Sequence, residues 1–112
     1  MKINKINLNE KPEGYDFDTM RKVHRDLLDL VDQFNSLSFD CNQTIDYLKA
    51  NYSFTGTYSE GGNRFLEFDV GDIAAMIIFN EREHIYSLYN KCTIFKPGSM
   101  ECLDNFDWER ES

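Results

Sequence analysis

The stretch Arg64–Phe95, RFLEFDVGDIAAMIIFNEREHIYSLYNKCTIF, holds the densest apolar run of the chain and its clearest alternation, and the fold follows from reading it. Leu66, Phe68 and Val70 share one side of an extended segment, and Glu67 and Asp69 share the other. Gly71-Asp72 is a turn or bulge. Ile73–Phe79 is apolar on both sides, with Ile73, Ala75, Ile77 and Phe79 on one and Ala74, Met76 and Ile78 on the other, which predicts an interior strand. Asn80–Glu83 is a charged connection. His84–Tyr89 and Cys92–Phe95 then supply one bent strand or two short ones, closed by Pro97-Gly98.

Upstream, Tyr52, Phe54 and Tyr58 alternate with Ser53, Thr55 and Thr57, which predicts a strand with the rings on one face and a wet face opposite. Ser59–Asn63, SEGGN, has the glycines that a tight hairpin needs. Before this the period changes to that of a helix. Met20, Val23, Leu27, Leu30, Val31 and Phe34 lie on one helical face over Asp18–Asn35, with Asp16 or Asp18 as N-cap. Asp40 followed by Gln43 is the pattern of a capping box opening a second helix, with Cys41, Ile45, Leu48 and Tyr52 as its buried stripe. Residues 1–14 form a polar leader in which Ile6 and Leu8 alternate as in a short edge strand, and 99–112 an acidic, aromatic segment.

The resulting expectation is one α+β domain over residues 1–112: two N-terminal helices packed on one face of a four- to five-stranded antiparallel sheet. Ala74, Met76 and Ile78 then need cover on the second face. The leader, the C-terminal segment or another molecule, such as a second copy in a homodimer, would provide it.

Charge narrows the function. Twelve Lys and Arg stand against 20 Asp and Glu, a net charge of -8, so the average field repels nucleic acid and anionic membranes and attracts basic proteins. Residues 51–112 carry eleven acids and five bases, so the acidity belongs mostly to the second half. Cys41, Cys92 and Cys102 are odd in number and lack metal or redox spacing, which predicts reduced thiols in a cytoplasmic protein. The N-terminus has no apolar run of signal-peptide length, and the Asn-x-Ser/Thr sequences at Asn42 and Asn51 carry no weight without secretion.

No catalytic constellation emerges. His24 and His84 lack companions, Asp16-Phe17-Asp18 reads as helix capping rather than a metal site, and no phosphate-binding loop or calcium loop is present. No enzyme activity, cofactor or metal is expected. The acids of the second half are interleaved with aromatic residues of the kind that anchor interfaces. In size, charge and α+β pattern the chain is similar to immunity proteins that neutralise nuclease toxins, a likeness that rests on no motif. It implies a small inhibitor that occludes a basic protein. The expected interface draws charge from Asp69, Asp72, Glu81, Glu83, Asp104, Asp107 and Glu109 and anchors from Tyr86, Tyr89 and Trp108. Two other readings follow from the same features: an anti-defence inhibitor from a phage or mobile element that mimics nucleic acid, and an assembly subunit whose two-sided strand completes an oligomeric sheet.

Overall fold

The computed structural model describes residues 17–71, 73–89, 93–96 and 102–103. The expectations for the leader, Asp16, Asp72 and the segment containing Asp104, Asp107, Trp108 and Glu109 lie outside these residues.

Two helices, α1 (Phe17–Ser36) and α2 (Cys41–Asn51), precede an antiparallel sheet of β1 (Ser53–Glu60), β2 (Asn63–Val70), β3 (Ile73–Asn80), β4 (Ile85–Leu88) and β5 (Ile94–Phe95). The first four strands lie in sequence order, and β5 shares with β4 the second edge of β3. Ile77–Asn80 pair with β4, and Ala74 and Ala75 pair with β5. The two short strands thus form one interrupted line. At the break, Met76 N–H donates to the Thr93 carbonyl at 2.9 Å, and the Thr93 hydroxyl donates to the Tyr89 carbonyl.

The six apolar residues predicted for the face of α1 are all buried, in one core with Leu48 of α2 and with Leu66, Phe68, Val70, Ile73, Ala75, Ile77, Phe79, Tyr86 and Ile94. Asp18 lies inside α1, in its first turn, where its charge suits the helix dipole; it is not the N-cap. Helix α2 starts on the predicted capping box, with Asp40 Oδ1 accepting from Gln43 N–H at 2.8 Å and Gln43 Oε1 accepting from Asp40 N–H at 2.9 Å. Its stripe contains a polar member that hydropathy alone passes over. Thr44 is fully buried, and its hydroxyl donates to Tyr86 Oη at 2.7 Å.

Asn35, near the end of α1, acts as a short stand-in for a strand. Its Nδ2 donates to the Tyr86 carbonyl at 3.0 Å and its Oδ1 accepts from Tyr86 N–H at 2.7 Å. Those backbone groups point away from β3, so the amide covers part of an edge that would otherwise be open to other chains. Rings fill the space around it: Phe34 stacks on Phe39 and meets Tyr47 and Tyr86 at about 5.5 Å, and Tyr86 lies 4.6 Å from Phe79.

The second face of the sheet is also packed. Phe65, Ala74, Met76 and Phe95 are buried there, with Ile78, Tyr89 and Cys102 against them. Met76 is only 6% exposed in the single chain, so this face does not depend on a second molecule for cover.

Two expectations are corrected. Cys102 is disulfide-bonded, so the prediction of reduced thiols throughout fails; Cys41 is a free thiol, and Cys92 lies outside the described residues. Helical spacing and strand alternation carry no information on thiol pairing. The rings of Tyr52, Phe54 and Tyr58 also do not share a face; Tyr52 is the C-cap of α2 rather than a residue of β1, and it packs with Phe54 against the helix-side core. A bulge between Phe54 and Gly56 inserts one residue, so Phe54 opposite Phe68 packs on the helix-side core while Tyr58 opposite Phe65 turns to the other side.

Candidate protein-interaction surface

Two turns meet at one end of the sheet. Gly61 and Gly62 have φ of 60° and 82°, the left-handed backbone that a two-residue hairpin turn requires, and this sets Glu60 opposite Asn63. Across from it, Asn80 Oδ1 accepts from Arg82 N–H at 3.0 Å and Glu83 N–H at 2.9 Å, and Asn80 O accepts from His84 N–H at 2.8 Å. His84 closes that turn at φ 57°, with its ring 5.6 Å from Phe79. Glu81 N–H donates to the Gly62 carbonyl at 3.0 Å, tying one turn to the other. The result is a braced rim on which Glu60, Glu81 and Glu83 are exposed, with Arg82 the exposed base among them.

Behind the rim, strand register aligns side chains on the second face. Tyr58, Phe65, Ile78 and Ser87 form one row, and Glu60, Asn63, Asn80 and Ile85 form the next. Tyr58 is 51% exposed and Ile85 49%, in strands three positions apart, or about 14 Å at ordinary strand spacing. Tyr58 is nevertheless held. It stacks on Phe65 at 4.7 Å with the rings 6° from parallel, Tyr89 meets Phe65 edge-on at 5.7 Å, and the Tyr58 hydroxyl points to Met76 Sδ at 3.9 Å. Burial of its inner side, then Tyr89, Glu60 and Glu67, push its hydroxyl pKa above the usual value. It stays a neutral donor at physiological pH.

The expected site residues divide. Glu81 and Glu83 stand on the rim, and Tyr89 is half-buried behind it. Asp69 lies at the opposite end of the sheet, opposite Ala74, six residues along β2 from the Asn63–Asn80 pair, or about 20 Å away. Tyr86 is not an available anchor: it is 2% exposed, accepts from Thr44 and donates to the Phe39 carbonyl at 3.1 Å. Alternation explains this, because Tyr86 lies opposite Phe79 and so belongs to the helix-side face. The exposed apolar side chains at this end are instead Tyr58 and Ile85, and Glu60 joins the acids; register brings them together, with Glu60 opposite Asn63 and Ile85 opposite Asn80.

Asp69 has an elevated pKa, raised first by burial and then by Glu67 on the same face. A carboxyl with a higher pKa folded than unfolded holds its proton better in the native state, so stability falls as pH rises through that interval. Asp69→Asn is therefore expected to raise the melting temperature at pH 7, with the gain fading toward about pH 3, where both forms are neutral. Thermal melts of both proteins across that range check this.

Among the described residues no three His, Cys, Asp or Glu side chains are grouped to hold a metal ion, and no helix is long and apolar enough to cross a membrane. A shallow groove along the start of α1 is lined by Asp18, Arg21, Lys22, Arg25 and Asp26. It carries three bases and two acids, so their charges largely offset one another. The chain matches no family model, no curated protein and no solved structure.

Proposed function

We propose that this protein is a small acidic inhibitor that binds a basic protein, such as a nuclease toxin, and neutralises it by occluding its active or nucleic-acid-binding site. The observation that carries the reading is the pair of half-exposed apolar side chains, Tyr58 and Ile85, standing beside Glu60, Glu81 and Glu83 on one braced end of the sheet. Apolar anchors surrounded by like charge suit a partner of opposite charge: the acids steer the encounter, and the anchors slow dissociation. Carboxylates on this rim would also compete with the partner's nucleic acid for its basic site. A subunit of a host defence complex would meet the same surface as a toxin would, so the mechanism is common to both targets.

The test is capture on the immobilised protein from lysate of the native host, followed by kinetics with the basic protein retained. Stoichiometric addition should abolish that protein's activity on nucleic acid. Glu60→Lys, Glu81→Lys and Glu83→Lys combined should slow association about 10- to 100-fold at low salt and flatten its salt dependence. All three side chains are exposed, so the thermal melt should not change. Unchanged association kinetics in the triple variant would remove the acidic rim from the mechanism.

A further inference from the structure

The two edges of the sheet are treated differently. Asn35 covers the backbone of β4 at Tyr86, whereas among the described residues β1 pairs only with β2 and leaves its other edge bare. Strand β1, SFTGTYSE, lacks the lysine or proline that commonly blunts an edge, and six of its eight residues are exposed. Because Glu60 and Asn63 flank a two-residue turn, they form a hydrogen-bonded pair, and so does Tyr58 with Phe65. Alternation then points the N–H and C=O of Thr57 and Ser59 outward. The bulge at Thr55 ends this regular run, so the open ladder is confined to residues 56–60.

We infer that this ladder is a self-association edge, on which β1 of a second copy pairs antiparallel about a twofold axis through Tyr58. Outward groups can meet only outward groups, so Thr57 faces Ser59 of the second copy and Ser59 faces Thr57. This register puts the two Tyr58 residues opposite one another as a close, non-hydrogen-bonded pair, extending the Tyr58–Phe65 stack across the junction. It also sets Glu60, the only charged residue of β1, opposite Gly56 rather than another acid. Thr57 and Ser59 project to the helix side yet are exposed, so the helices do not overhang this half of the strand. The contact is short and each copy carries a charge of -8, so the dimer is weak and is strengthened by salt. That salt response is opposite to the one expected for a basic partner, which separates this inference from the proposed inhibitor role.

Sedimentation velocity from about 10 µM to 1 mM should show the average mass rising from 13.2 kDa toward twice that value, more steeply in about 0.5 M salt than at low salt. Ser59→Pro removes one outward N–H without touching the β1–β2 ladder and should stay monomeric with an unchanged circular dichroism spectrum. Hydrogen exchange on the unsubstituted chain gives a second readout: the Thr57 and Ser59 amides should exchange freely when dilute and become protected when concentrated. Under oxidation, Tyr58→Cys should form a covalent dimer above the background set by the native chain with its own Cys41. A monomer at every concentration and salt, protection of both amides in the dilute monomer, or unimpaired dimerisation of Ser59→Pro would each overturn the inference.

Discussion

Phe34→Ala should lower the unfolding free energy by about 3–5 kcal/mol, the largest loss expected from any single truncation in this chain. Phe34 is fully buried and its ring touches Phe39, Tyr47 and Tyr86, so it joins α1, the α1–α2 turn, α2 and β4. Truncation removes transfer free energy and leaves a cavity whose walls come from four separate segments. These walls cannot all collapse inward without disturbing Thr44, Tyr86 and Asn35, which are joined by hydrogen bonds. For a domain whose total stability is on the order of 5–15 kcal/mol, the loss would bring many molecules near the unfolding midpoint at ambient temperature. Urea titration checks it. At a slope of about 1–1.5 kcal/mol per molar urea, the midpoint should fall by roughly 3 M, and Phe34→Leu should lose well under half as much.

Asn35→Asp should be the second most damaging change, at about 2–3 kcal/mol near neutral pH, and unlike the first it should be partly reversed by acid. The aspartate keeps the oxygen that accepts from Tyr86 N–H but replaces the Nδ2 donor with an oxygen facing the Tyr86 carbonyl. An acceptor then meets an acceptor, and a charge is drawn into a half-buried site. Protonation restores a donor. The folded-state pKa of this aspartate would therefore lie above its unfolded value, so its destabilising effect is present above that folded pKa and diminishes as pH falls through it. Melts of the variant and the native chain should converge as pH is lowered from 7 toward about 4. A pH-independent difference would mean that the Asn35 amide matters for its shape rather than for its pairing with the Tyr86 backbone.

Much of this architecture was legible in the residues. The 3.6-residue spacing from Met20 to Phe34 predicts the buried stripe of α1, the Asp40–Gln43 pair predicts the start of α2, and the double apolar character of Ile73–Phe79 predicts the interior strand. Each of these is local. A helix or strand repeats within a few residues, and a cap closes over three, so the chain carries the pattern with no knowledge of what it packs against.

The candidate site was less legible because its members are brought together by register. Asp69 and Glu81 look like neighbours in one acidic half, but β2 and β3 run in opposite directions and set them at opposite ends of the sheet. Tyr58 and Tyr86 look equivalent as aromatic anchors. One extra residue at the bulge turns the first to the second face, and pairing with Phe79 turns the second into the core. A shift of one residue exchanges the faces of a strand at almost no local cost, so local sequence pattern does not decide it.

Local periodicity thus determined the order and kind of the elements, the apolar stripe of α1, the two-sided strand and the acidic charge, because each is a property of adjacent residues. Tertiary pairing alone decided which aromatic rings are core, which acids share an edge, that Asn35 covers the Tyr86 backbone and that Cys102 is in a disulfide. Each of these depends on residues distant in sequence meeting at a particular register and distance, a condition that only the packed sheet imposes.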